Sequence, residues 1–142
     1  MNRDNYYLGI AYAVAAKSTC LKKHYGAVIV KNNEIIATGY NGPPRGEEHC
    51  AECTKKSGCG KDMEEYMSCP AVHAEMNAII SAARRDMIDS DLYLSGVDAR
   101  SGAPVHPEPC KICERLIKNA GIAKVITENG IIYNRKDIKK ED

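Results

Sequence analysis

Val72-His73-Ala74-Glu75-Met76-Asn77 places an imidazole and a carboxylate two residues apart where a helical pattern begins. Pro109-Cys110-Lys111-Ile112-Cys113 places two thiols three residues apart, on one face of a helical turn, at the start of another. The fold must bring these two helix starts to the same place if His73, Cys110 and Cys113 are to hold one metal ion. Three protein ligands leave a tetrahedral zinc one open position, which distinguishes a catalytic site from a closed structural one. A water in that position has its pKa lowered to about 7. Two thiolates and a neutral imidazole balance the charge of the ion. Glu75 cannot easily ligate from the same turn, but it can reach such a water and act as the proton carrier. Free N–H groups at the two helix starts favour thiolate and hydroxide.

The pattern outward from these stretches is that of an α/β chain. Asp4 to about Thr19 is expected to be a helix with an apolar stripe of Tyr7, Leu8, Ala11, Val14 and Ala15. Gly26–Val30 and Glu34–Thr38 read as strands, and Asn32-Asn33 between them suits the positive φ angles of a tight hairpin. A long polar stretch from Tyr40 to Cys69-Pro70 contains His49, Cys50, Cys53 and Cys59. Helical pattern returns from Ala71 to about Ala83, followed by a short buried strand at Leu92–Ser95 and an irregular segment from Gly96 to Glu108. The cysteine helix stops at Ala120-Gly121, where glycine is the usual terminator. Ala123–Thr127 reads as another strand, Gly130–Tyr133 as a fifth, and 135–142 as a charged, solvated tail.

This order implies a mixed sheet covered by helices, with a right-handed parallel crossover from Leu92–Ser95 through the cysteine helix to Val125. Ligands in such sheets sit beyond the carboxyl ends of strands, at helix N-termini, which puts both half-motifs on one edge. With 142 residues, the chain is expected to form a single domain over 1–142. Lys and Arg total 20 against 19 Asp and Glu, a net charge of +1, which argues against a large nucleic-acid face but leaves room for a phosphate pocket. No apolar run is long enough to span a bilayer and no signal-peptide core is apparent. Seven cysteines without an export signal favour metal binding over disulfides and a cytoplasmic setting.

The His-x-Glu … Pro-Cys-x-x-Cys pattern is the signature of zinc nucleobase deaminases. Cys20, Gly26–Val30, Gly39-Tyr40-Asn41-Gly42, His73–Ile79, Pro109–Cys113 and Asn119–Ile122 together resemble the cytidine deaminase superfamily, and within it the deoxycytidylate (dCMP) deaminases. The likeness runs from about Tyr6 to Ile126, and Gly-Tyr-Asn-Gly is what points to the dCMP branch rather than the tRNA adenosine branch. It implies a three-layer α/β/α sandwich with a mixed five-stranded sheet, a catalytic zinc on His73, Cys110 and Cys113, and hydrolysis of dCMP to dUMP and ammonia. A homo-oligomer, often a hexamer, and allosteric control by dCTP and dTTP are also implied. Asn41 matches the family asparagine that contacts the nucleotide, and the backbone at Ala74 would read the pyrimidine edge. One departure is the Gly96–Glu108 insert, where the family commonly has only a few residues between strand and Pro-Cys.

Some dCMP deaminases carry a second, structural zinc near the positions of Cys20 and Cys50. A closed site of Cys20, Cys50, Cys53 and Cys69 is therefore expected, with Cys59 spare or exchanged into it. Arg45 and Arg100 are candidates to grip a 5′-phosphate, and His106 of the insert is a candidate substrate contact. With no Phe or Trp in the chain, a stacking ring would have to come from His73 or one of eight tyrosines. Two other readings stand beside this one. Another base could be the substrate (cytidine or CMP, guanine, tRNA adenosine or a riboflavin precursor), or the chain could be a zinc-stabilised binding module. Glu75 separates the last from the rest, because a structural knuckle has no use for that carboxylate.

Overall fold

The computed structural model describes residues 1–53 and 67–137; Cys59 and the last five residues of the charged tail lie outside them. Helix α1 (Arg3–Ala15) leads to strands β1 (Lys23–Lys31) and β2 (Glu34–Tyr40). Helices α2 (Ala74–Ile80) and α3 (Arg84–Met87), strand β3 (Asp91–Asp98), helix α4 (Lys111–Ala120) and strands β4 (Lys124–Thr127) and β5 (Gly130–Asn134) complete the order. A short 3-10 turn at Arg135–Asp137 opens the tail.

The five strands form one sheet in the order β2-β1-β3-β4-β5. All neighbours are antiparallel except β3 and β4, which run parallel with α4 between them in sequence. Asn32 and Asn33 take φ of 51° and 61°, the left-handed values that the hairpin turn demands. Along β1, alternate residues enter different cores. Ala27 and Ile29 pack with Ala74 and Ala78 of α2 and Ile117 and Ala120 of α4, while Val28 and Val30 pack with Tyr7, Leu8 and Ala11 of α1. That is the expected three-layer α/β/α sandwich.

Several boundaries differ from those read in the sequence. α1 stops at Ala15, and the chain turns through Lys17 and Ser18, whose amides donate to the carbonyls of Val14 and Ala15. The helix expected over Ala71–Ala83 is shorter, Ala74–Ile80, and a separate four-residue helix, α3, follows it from Arg84. β3 continues to Asp98 and takes in the first residues of the presumed irregular insert, because β1 pairs with it from Lys23↔Asp98 onward. The rest of the insert folds back on that strand: Val97 bridges Pro104, and the Val105 amide donates to the Gly96 carbonyl at 3.0 Å.

Two glycines on paired strands let the helices close on the sheet from opposite sides. A Cβ at Gly26 would meet the Ala11 carbonyl and the Ala15 nitrogen of α1. At Gly39 it would meet the Ala74 carbonyl and the Ala78 nitrogen, with the Asn77 Cβ at 2.9 Å. Backbone atoms of a packed helix cannot swing aside as a flexible side chain can, so α2 lies flush on β2 only because residue 39 has no side chain. Asn77 fastens the contact, its Nδ2 donating to the Tyr40 carbonyl at 2.7 Å. Replacing Gly39 with Val is expected to cost about 3 kcal/mol or more of stability. The loss would be read from the urea midpoint, with bound zinc falling alongside it because His73 caps the displaced helix.

Candidate active site

His73 is the N-cap of α2 and Cys110 the N-cap of α4, so two of the three candidate metal donors sit where extended chain turns into helix, and Cys113 follows in the first turn of α4. At the first cap, Gly42 and Val72 exchange two backbone hydrogen bonds, Val72 N–H to the Gly42 carbonyl at 2.7 Å and the reverse at 3.2 Å. This clip holds the residue before His73 beside the end of β2. At the second, the Cys110 sulfur accepts from the Cys113 amide at 3.5 Å, a thiolate-favouring contact at the first turn of a ten-residue helix. Gly121, at φ 85°, ends that helix as expected.

These caps bring the sequence-predicted donors together. His73 Nδ1 lies 3.2 Å from the Cys113 sulfur and 3.6 Å from the Cys110 sulfur, and all three donor atoms fall within 4.8 Å of one another. Tetrahedral zinc with ordinary Zn–N and Zn–S bonds needs N···S separations of about 3.6 Å, so the trio fits the ion. Cys113 is fully buried, and the hydrogen bond with Cys110, then burial, raise its pKa far above the ordinary thiol range. Such a thiol ionises only if a cation compensates, which is what a metal bound by these donors supplies.

Glu75 is 6% exposed, and burial pushes its carboxyl up, partly offset by its own backbone, His73 and the Cys113 thiol. It therefore reaches the metal position from within the protein rather than from solvent. His73, Glu75 and Cys110 line a pocket together with Tyr25, Asn41, Leu94 and Pro107. Tyr25 is the one tyrosine among the residues that line the pocket. Its ring lies across Gly96, where an added Cβ would meet Tyr25 Cδ1 at 2.7 Å and Val105 Cγ2 at 2.8 Å. The insert thus backs the wall that Tyr25 presents to the pocket.

Asn41 also lines the pocket, with its side chain turned onto β1. It accepts from the Tyr25 amide at 2.8 Å and donates to the Lys23 carbonyl at 2.9 Å. Its own carbonyl accepts from the Ser18 hydroxyl at 2.8 Å. Ala74 is buried between the lining residues His73 and Glu75. Arg45 and Arg100 are exposed and are not among the lining residues. His106 turns to the β4–β5 turn instead, 3.0 Å from Glu128 Oε1 and 3.1 Å from Asn129 Nδ2. The insert reaches the pocket through Pro107 and Glu108.

Cys20, Cys50, Cys53 and Cys69 all line this pocket. Among the described residues, only the His73–Cys110–Cys113 trio draws three donor atoms within 4.8 Å; no three of these four sulfurs do. Lys22 and Lys23 line the pocket and were not singled out from the sequence, where lysines ahead of a strand carry no distinguishing pattern.

Residues 1–129 match the family model for the cytidine and deoxycytidylate deaminase zinc-binding region. A deoxycytidylate deaminase of Mycobacterium phage D29 is 39% identical over 128 residues, covering 87% of this chain and 91% of the phage protein. One from Schizosaccharomyces pombe is 34% identical over the same share of this chain, which spans 36% of that longer protein. Among solved structures, dCMP deaminase of cyanophage S-TIM5 in complex with dCMP and dUMP superposes with a TM-score of 0.65 at 26% identity, covering 89% of this chain and 82% of that one. The chain belongs to the zinc-binding cytidine and deoxycytidylate deaminase family.

Two outcomes follow from the geometry. Replacing His73 with Ala or Cys110 with Ser should each remove the zinc held by the trio, measured as metal per chain after gel filtration. Asn41→Leu leaves the Tyr25 amide and the Lys23 carbonyl without their partner, so unfolding free energy should drop by about 2 kcal/mol in denaturant titration.

Proposed function

For a chain of this family, we propose hydrolytic deamination of dCMP to dUMP and ammonia. The observation that carries the reading is buried Glu75 beside three clustered donors, at the bottom of a pocket also lined by Asn41 and Tyr25. Zinc, when held by His73, Cys110 and Cys113, supplies the Lewis acid that makes water a nucleophile at neutral pH. The chain's own residues do the rest. Tyr25 and the insert behind it shape the wall along which the pyrimidine lies, and Asn41, its side chain anchored to β1, contacts the nucleotide. Glu75 takes the proton of the attacking water and delivers it to the ring nitrogen beside C4. It then takes the remaining proton from the new C4 hydroxyl and passes it to the amine, so that the C4–N bond breaks, ammonia leaves and the C4 carbonyl forms. Burial suits it to that traffic, because a carboxyl kept from bulk water accepts and releases protons nearer neutrality.

The substrate contacts at Asn41 and the Ala74 backbone belong to this proposal. Arg45 and His106, which do not line the pocket, would reach a nucleotide only if their segments move. A second, structural zinc on Cys20, Cys50, Cys53 and Cys69 is part of it too, supported by their common place around one pocket. So is a homo-oligomer, a hexamer in the form the family likeness implies. Exposed Ile80, Ile112 and Leu116 on α2 and α4 offer apolar surface for it. Control by dCTP and dTTP rests on the family likeness. We place the chain in the cytoplasm as one domain. No disulfide joins the described cysteines, which fits a reducing compartment. No helix among the described residues is long and apolar enough to cross a membrane.

Ammonia release should be measured from dCMP, CMP, deoxycytidine and guanine side by side, with and without dCTP. Turnover of dCMP above the others supports the assignment, and preference for guanine or absence of any turnover overturns it. Glu75→Gln should lower kcat for dCMP by at least about 10³-fold with zinc retained. For the second metal, the expected content is two zinc ions per chain, falling to one in Cys50→Ser. A content of one in both proteins rejects that site.

A further inference from the structure

The insert between β3 and α4 is secured unevenly along its length. At its start, the Gly102 amide donates to the Asp98 carbonyl and the Asp98 amide to the Ala103 carbonyl, both at 2.9 Å. The Val105 amide then reaches the Gly96 carbonyl at 3.0 Å. Beyond Val105 this support ends. Pro107 and Pro109 have no N–H to donate, and among the described residues no backbone hydrogen bond involves 106–109. Yet this stretch carries two pocket residues, Pro107 and Glu108, and runs directly into Cys110.

What holds it is the side chain of His106. Direction alternates here: Pro107 is buried, while His106 points outward and meets the β4–β5 turn, its Nδ1 3.0 Å from Glu128 Oε1. A carboxylate only accepts hydrogen bonds, so Nδ1 bears the hydrogen of this contact whether the ring is neutral or charged. The far end is itself fixed. The other oxygen of Glu128 lies 3.5 Å from the Tyr12 hydroxyl of α1, and the Asn129 amide donates to Oγ1 of buried Thr127 at 3.1 Å.

We propose that His106, joined to Glu128, is a positioning residue for the pocket: it holds Pro107 in the wall along which the pyrimidine lies. The proposal rests on the deaminase reading above and adds to it a residue outside the pocket. Both neighbours of His106 bear on that wall. Val105 Cγ2 lies against Gly96 beside the Tyr25 ring, and Pro107 lines the pocket. Releasing His106 loosens both at once, because little else ties this stretch down.

The size of the effect follows from exposure. The His106 side chain is 71% exposed and that of Glu128 34%, so water competes for the contact and its loss is worth about fivefold at most. That is too little to unfold the protein or release zinc. It is enough to widen a pocket wall part of the time, which weakens substrate binding and leaves the proton transfers at Glu75 alone.

The test uses the full chain loaded with zinc, as wild type, His106→Ala, Glu128→Ala and the double variant. Each single substitution should raise KM for dCMP about fourfold, with kcat within about twofold and zinc content unchanged. The double variant should match the singles, because both remove one contact. His106→Gln, whose amide still donates to Glu128, should return KM toward wild type. Amide exchange followed by NMR reads the same contact without turnover. The Val105 N–H should exchange about fourfold faster in His106→Ala, while the N–H groups of β1 keep their wild-type rates. An unchanged KM in both alanine variants, or single effects that multiply in the double variant, overturns the proposal. If wild type does not deaminate dCMP, the deaminase reading fails by itself and exchange decides alone: faster at Val105, the role of His106 stands; unchanged, it falls.

Discussion

A metal bound by three groups from two distant parts of a chain requires both parts to arrive at the same point without strain. Here the arrival is enforced by close packing of helix against sheet. The chain has no side chain at Gly39, so α2 settles directly on β2 and sets His73 at the sheet edge. The parallel step from β3 to β4 carries α4 over the same face, and its first residue follows Cys110 directly. Helix ends are well suited to this role, since an N-cap is extended backbone whose side chain projects beyond the helix axis.

The same packing accounts for the burial of Glu75. It is the second residue of α2, buried beside His73 and the α4 cysteines, and this position keeps the carboxyl away from water. A carboxylate at a solvent-facing helix position would keep its ordinary acidity and compete with bulk water for protons. The sulfur of Cys113 is buried for the same reason, and its ionisation depends on the cation it helps to hold. Burial and metal affinity are thus two aspects of one arrangement.

Around this centre the insert takes a structural position that its composition conceals. Its Gly, Ser and Pro residues look like loose connection, yet its start extends β3 and its later half returns to bridge it. Val105 and Gly96 hold the ring of Tyr25, so the insert shapes the pocket by supporting a residue from another strand. His106, the residue of the insert with the most obvious chemistry, binds the β4–β5 turn and fastens the insert to the far side of the sheet.

Local sequence settled the elements whose causes are local. Spacing within one turn named His73, Glu75, Cys110 and Cys113; Asn32-Asn33 marked a hairpin; Gly121 marked a helix stop. The apolar runs Gly26–Val30 and Leu92–Ser95 revealed strands buried on both faces. The length of β3 was hidden because it depends on pairing with β1, and α3 because four residues are too few to show a helical period. Which of eight tyrosines faces the pocket, and that Lys22 and Lys23 edge it while Arg45 does not, emerged only once the strands were paired. A residue's chemistry and its spacing to near neighbours are written in the chain. The direction of its side chain toward groups a hundred residues away is fixed by strand register and helix seating, and those exist only in three dimensions.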